Sequence, residues 1–228
     1  GAMESFLQDL RHSLRALARQ PGFALTAILT LALGIGATTA IFSVVNSIVL
    51  KPLPFPDADR IVAVVNLWTR TGQRGTTVSA PDFYDWQEQN RSFSALSSFS
   101  GGETSVSVDG VADYAAVYAA TPGFFDAFGV GARLGRLPTQ AEETPGGSLT
   151  AVITDAFWRR RFNADLRALG STIKFRERLY TVVGVLPPGF RFPAAADIYT
   201  PAWVLGATRE AGAHRGAHNF PVVGGLPP

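Results

Sequence analysis

The chain has 228 residues, 46% of them hydrophobic and 17% charged, with no cysteine and a formal net charge of +2. That much apolar material excludes a disordered tail, and the absent thiols exclude a disulfide-stapled scaffold and any thiolate zinc site. An excess of two positive charges is too small for a nucleic-acid binder, and the pI of about 9.2 reflects arginine usage as much as excess charge.

At the N-terminus Phe6, Leu7, Leu10, Leu14 and Leu17 recur at mostly helical spacings, while Arg11, Arg15 and Arg19 form an i, i+4 stripe. The pattern predicts an amphipathic helix over residues 4–20 with one apolar and one cationic face. Such a face suits a headgroup region, and it equally suits a protein partner. Pro21-Gly22 then breaks the helix.

From Phe23 to Leu50 no residue is charged, a run of 28. At helical rise it spans roughly 42 Å, against about 30 Å for a hydrocarbon core, with tilt absorbing the excess. The expectation is a transmembrane helix over 22–50. A cleaved signal peptide fits less well, because the apolar run is too long and Lys51-Pro52-Leu53-Pro54 stands where a small-x-small site belongs. Three arginines precede the span, and Lys51, Arg60 and Arg70 follow it. Charge alone is therefore a tie, and the short first segment favours an inside N-terminus. Ala32, Gly36 and Ala40 follow small-xxx-small spacing and mark a helix-packing face, although small residues are common in any membrane helix. Gly34-Ile35-Gly36 is only half a dinucleotide fingerprint and no strand precedes it, so cofactor binding is not expected there.

After Leu50 the composition changes. Pro52, Pro54 and Pro56 stiffen the exit, and residues 51–228, with 17 basic and 16 acidic side chains, suffice for one domain. Strands are expected at Ile61–Trp68, Ser94–Val108, Tyr114–Ala119 and Leu149–Thr154. Helices are expected at Ala80–Asn90, capped by Ser79, around Pro122–Phe128, and at Asp155–Phe162. A hairpin joins Ile173–Phe175 to Leu179–Leu186, and the last recognisable strand is Ile198–Trp203. Mixed strands and short helices without regular alternation indicate an α+β fold.

Candidate chemistry is sparse. No G-x-x-x-x-G-K-[ST] loop is present, so the chain is not an ATPase. His214 and His218 have i, i+4 spacing, but Gly212 and Gly216 argue against a helix and no carboxylate completes a metal set. Asp82 and Asp85 among Phe83, Tyr84 and Trp86 resemble a sugar-cleaving pair less than a capping charge beside core aromatics. Arg159-Arg160-Arg161 reads as a solvated helix face pairing with Asp155 or Asp165 rather than an anion site.

Several segments carry a family resemblance: Asp9-Leu10-Arg11, Pro21-Gly22-Phe23, the run Leu31–Val45, Pro52-Leu53-Pro54-Phe55, Pro81-Asp82-Phe83 with Asp85-Trp86, Phe124-Phe125, Leu134-Gly135-Arg136, Phe157–Phe162 and Thr181–Pro193. In order and spacing they resemble MacB-like, FtsX-type ABC transporter permeases, nearest the duplicated orphan group that lacks a fused ATPase. The resemblance implies a short cytoplasmic helix, a first membrane helix, and a periplasmic core domain with porter-like βαβ elements and a mainly β lobe. It also implies a separate ABC ATPase subunit, a second permease copy, the lipid bilayer as partner, residence in the bacterial inner membrane, and no cofactor or catalytic residue. In that setting Arg11, Arg15 and Arg19 face the membrane surface or the ATPase. Relatives continue past the equivalent of Pro228 through the rest of the core and three more membrane helices, so a core incomplete at its C-terminus is expected. The reading is a non-catalytic permease subunit or fragment that transmits ATPase-driven motion for efflux or envelope transport. The alternative is a membrane-anchored extracytoplasmic ligand-binding module or enzyme.

Overall fold

The computed structural model describes residues 20–45, 58–193, 196–205 and 216–227. The expected amphipathic helix with Arg11, Arg15 and Arg19, the proline exit and His214 lie outside them. The chain divides into two compact units, 1–52 and 53–228. The first contains α1, Pro21–Val45, an unbroken helix whose large apolar side chains from Phe23 to Phe42 are exposed.

The second unit begins with β1 (Ile61–Val64) and a hairpin of β2 (Asn66–Trp68) and β3 (Gln73–Gly75). The continuous strand expected over Ile61–Trp68 is thus two strands: β1 joins the large sheet, and beyond Val65 the chain leaves it to pair only with β3. Helix α2, Ala80–Gln89, starts where Ser79 Oγ accepts from the Asp82 amide and Pro81 supplies a fixed φ. β4 (Ala95–Val108) and β5 (Val111–Ala120) form a long hairpin whose Asp109-Gly110 tip has positive φ at both residues, as a tight twisted turn requires. The short helix α3 (Phe124–Ala127), β6 (Leu134–Gly135), β7 (Thr150–Ile153) and α4 (Asp155–Phe162) follow. Next come β8 (Thr172–Phe175), β9 (Arg178–Val185), β10 (Ile198–Pro201) and β11 (Val222–Gly225).

The last expected strand stops at Pro201, because 202–205 tighten into a 3-10 turn. Nor is it the last strand. β11, four residues with two glycines and no alternation, lies between β1 and β4 and pairs antiparallel with both. β1 and the first residues of β4 therefore run parallel around an antiparallel centre, joined through α2: a split βαβ unit.

Beyond Ser98, β4 exchanges β11 for new neighbours. It pairs with β5, β5 with β10, β10 with β7, β7 with β9, β9 with β8, and β8 again with β4. Those six strands form a closed ring, which removes all but short edges. Its interior is filled by Val106, Val117, Ile153, Ile173, Phe175, Tyr180, Val182 and Ile198, and α4 contributes Phe157 and Trp158. Phe175 and Tyr180 stack with ring centroids 3.7 Å apart.

β7 and β10 are buried on both faces. Ala151, Ile153 and Ile198 point into the barrel, whereas Val152 and Tyr199 join a second core with Phe124, Phe125, Phe128, Phe190 and Val223. Val222, on the opposite face of β11, packs with Val78, Phe83 and Leu96 in a third. This two-sided burial explains why Thr150–Ile153 reads as a short apolar run rather than an alternating one.

Where β4 passes between sheets the backbones approach closely. A Cβ on Gly101 would sit 2.1 Å from the Val117 carbonyl oxygen, while one on Gly102 meets nothing within 4 Å. Gly101→Ala should therefore cost about 1–3 kcal/mol and Gly102→Ala far less, as thermal melts of the purified chain would show. The Tyr180 hydroxyl is buried without a hydrogen-bond partner among the described residues. Tyr180→Phe should raise the melting temperature, reflecting about 1 kcal/mol of relieved desolvation.

Candidate functional site

Helix α1 carries no charged residue, and a 23-residue stretch, Pro21–Ser43, is long and apolar enough to cross a membrane. Three of its hydroxyls are provided for locally. Thr26, Thr30 and Thr38 each donate a hydroxyl hydrogen to the carbonyl four residues earlier, at 2.8–2.9 Å. Such bonds keep hydroxyls satisfied where no water is present. Ala32, Gly36 and Ala40 fall on one line at successive turns, all exposed, and a Cβ on Gly36 would meet nothing.

In the second unit the segment between β6 and β7 is a loop pinned at its centre. Arg136 grips Glu142 with two hydrogen bonds of 2.7 and 2.8 Å, and the Thr139 amide and hydroxyl donate to the same carboxylate. The Trp203 indole N–H donates to the Glu142 carbonyl at 2.8 Å. The Arg136 bonds first, and then those from Thr139, hold the Glu142 carboxyl down at about 2. Glu143, next in sequence, turns the other way. It lines a cavity of about 10 Å³ with Phe124, Phe125, Pro138, Tyr199 and Thr200, at the lower limit for one water. Burial, then the nearby Asp126 and Glu142 charges, push its carboxyl up to about 7. Two adjacent carboxyls thus titrate far apart, which no pattern in AEET announces.

The arginine row of α4 is a structural cation face, as expected, but with more partners than expected. Arg159 pairs with Asp155 at 2.7 Å, and Arg133 reaches the other Asp155 oxygen at 2.6 Å. Arg160 lies 3.1 Å from Asp197 and Arg161 3.3 Å from Asp113. Asp165 pairs with Arg167 instead. Partners on β5 and beside β10 tie the helix to the barrel wall, and that long-range pairing is invisible in FWRRRF. Asp82 accepts from Ser79 Oγ at 2.7 Å, completing the cap. His218 Nδ1 lies 3.0 Å from the Asn66 amide nitrogen, and its ring meets Trp68 edge-on. Among the described residues no three His, Asp or Glu side chains gather as a metal set.

The Glu143 carboxyl has a signed consequence. Its folded pKa exceeds its unfolded value, so the native state holds a proton the unfolded chain has released. Stability should fall as pH rises from about 4.5 to about 7 and level off above that. Thermal melts at pH 5 and pH 8 should show a decline that Glu143→Gln removes. An equal decline in both proteins would assign the effect to another group.

The family model for the MacB-like periplasmic core domain matches residues 24–220. A search of curated proteins gives no match. Three solved structures share the fold at low identity. The periplasmic region of MacB from Actinobacillus actinomycetemcomitans superimposes with a TM-score of 0.56 and 16% identity, over 73% of this chain and 74% of that one. A domain of a putative permease from Porphyromonas gingivalis gives 0.59 and 22%, over 76% and 78%. The extracellular domain of the noncanonic ABC-type transporter YknZ from Gram-positive bacteria gives 0.54 and 12%, over 74% and 84%. The match spans most of the chain, and an apolar helix followed by a split βαβ unit with an inserted barrel is what the fold contains: this chain belongs to the MacB-like periplasmic core domain family.

Proposed function

We propose that the chain is the membrane-anchored, non-catalytic part of an ABC transporter permease, carrying motion from a separate ATPase subunit to an extracytoplasmic domain for efflux or envelope transport. The observation that carries this reading is the double membership of β4. β1, the first strand of the sheet after α1, is bonded to β11, and β11 to the start of β4. The same β4 then continues as a wall of the closed barrel. Its 14 residues span about 46 Å at strand rise. A displacement entering at β1 would reach the barrel through the hydrogen-bonded strands β11 and β4.

In this reading α1 anchors the chain in the bacterial inner membrane with residues 51–228 outside the cytoplasm. Ala32, Gly36 and Ala40 form the line along which a second permease copy approaches. Arg11, Arg15 and Arg19 face the membrane surface or the ATPase. The exposed apolar surface of α1 and its internally bonded threonines support the anchor.

The test is capture of the full chain from solubilised membranes of its native host. Vanadate-sensitive ATP hydrolysis should co-purify with it. Binding or turnover of a small molecule by a preparation without an ATPase would overturn the transport reading in favour of a ligand-binding module. The helix line is tested separately on this cysteine-free chain. Gly36→Cys should form a disulfide-linked dimer under mild oxidation in membranes, whereas Leu31→Cys, about 140° around the helix, should form little.

A further inference from the structure

Among the described residues the β2–β3 hairpin pairs with no other strand. It carries exposed apolar side chains out of proportion to its size: Leu67 is 58% exposed, Trp68 44%, and Val65, just before it, 39%. The indole is held in place. It lies across Gly75, where a Cβ would come within 2.6 Å of the ring, and against the edge of His218. The Asn66 amide in turn bonds the Thr77 carbonyl at 3.1 Å. Trp68 is therefore presented to the surroundings at a fixed position.

The charge here is one-signed. Between Arg60 and Asp82 the only charged residues are Arg70, at the hairpin tip, and Arg74, opposite Leu67. Neither has an acidic partner among the described residues. The seven ion pairs found there all lie between residues 113 and 197. A shallow depression of about 360 Å³ runs along Leu67, Trp68 and Arg70.

We infer that this hairpin docks on the anionic headgroup layer of the bilayer that α1 spans, with Trp68 and Leu67 at the interface and Arg70 and Arg74 on lipid phosphates. The inference rests on the anchored reading above. An indole with one fixed open side beside unpaired arginines is the chemistry of a membrane interface. Protein docking fits less well: a ten-residue hairpin falls far short of the roughly 800 Å² per partner of a stable interface. Covalent continuity removes the need for such an area. Ile61 follows Val45 by sixteen residues in the same chain, so docking of the hairpin is intramolecular with respect to the anchor.

The test uses the full chain reconstituted in vesicles of phosphatidylcholine with three parts in ten phosphatidylglycerol, and in phosphatidylcholine alone. An environment-sensitive fluorophore is placed on Thr71→Cys, at the tip, or on Ala156→Cys, an exposed control on α4. Doxyl-labelled lipid should quench the Thr71 probe strongly in anionic vesicles and leave the Ala156 probe in water. Arg70→Ala with Arg74→Ala should lower the docked-to-free ratio about 25-fold, roughly fivefold per arginine, and neutral vesicles or high salt should act in the same direction. These exposed substitutions leave the Trp68 packing intact, so a folding defect does not confuse the result. If alkaline carbonate leaves the chain in the vesicles but the two probes are quenched alike, the anchored reading stands and docking is wrong. Quenching at Thr71 that ignores both lipid charge and the arginines likewise overturns it. Release of the chain by carbonate overturns the anchor, and docking falls with it.

Discussion

A strand has two hydrogen-bonding edges, and the architecture of the second unit follows from how β4 uses one of them. Along that edge it bonds β11 through residues 95–98 and β8 through residues 106–108, while the other edge holds β5 throughout the barrel. The change of partner is fixed by buried polar groups. Ser97 Oγ and Thr121 Oγ1 lie 2.9 Å apart, and the Ser98 amide donates to Thr121 Oγ1 at 2.8 Å. Buried groups of this kind are costly to leave unpaired, so the crossing point has one favourable arrangement. Gly101, a short step on, permits the close backbone approach that follows.

Three cores meet along this frame, and the strands between them are buried on both faces. The aromatic cluster around Phe124 is the wedge. Its ring meets Phe99, Phe125, Phe128, Phe192 and Tyr199 at centroid distances of 5.1–6.3 Å, mostly tilted or edge-on. Such geometries are the favourable ones for aromatic quadrupoles, and each fully buried ring adds roughly 1.5–3 kcal/mol of hydrophobic stabilisation. The wedge joins Val223 of the split βαβ unit to Val152 and Tyr199 on the outside of the barrel. The two parts are therefore packed together as well as covalently continuous through β4. That is the property required of a domain whose proposed task is to carry displacement.

Charge is distributed to the same end. Around the barrel, arginines are paired with aspartates from other elements, so α4 is held by Asp113 and Asp197 as well as by Asp155 within its own turn. Many of these arginines are half exposed, and each pair adds little by itself. Their effect is to choose the orientation of the helix on the wall. Two places depart from the pattern among the described residues: Glu143, half-buried with no cation paired to it, and the β2–β3 hairpin, whose exposed arginines pair with no acidic side chain. Both are surfaces where a further partner or a proton changes the balance of charge.

The sequence by itself determined the elements whose signals are local. The uncharged run after Phe23 read as a helix because length and apolarity suffice for that inference. The α2 helix was legible from Ser79-Ala80-Pro81, since a cap acts over three residues, and α4 was expected at Asp155–Phe162 although its Thr154 cap reads in sequence as the end of a strand. The family motifs were legible too, being contiguous. Tertiary structure decided what depends on residues far apart. β11 is unreadable from VVGG, because its stability comes from lying between β1 and β4 rather than from propensity. The barrel closes through pairs separated by up to about eighty residues. Glu143 differs from Glu142 only because one side chain meets Arg136 and the other meets a wall of rings. Burial and partner choice belong to the folded chain as a whole, and identical local sequence acquires different chemistry according to which surface the fold lays beside it.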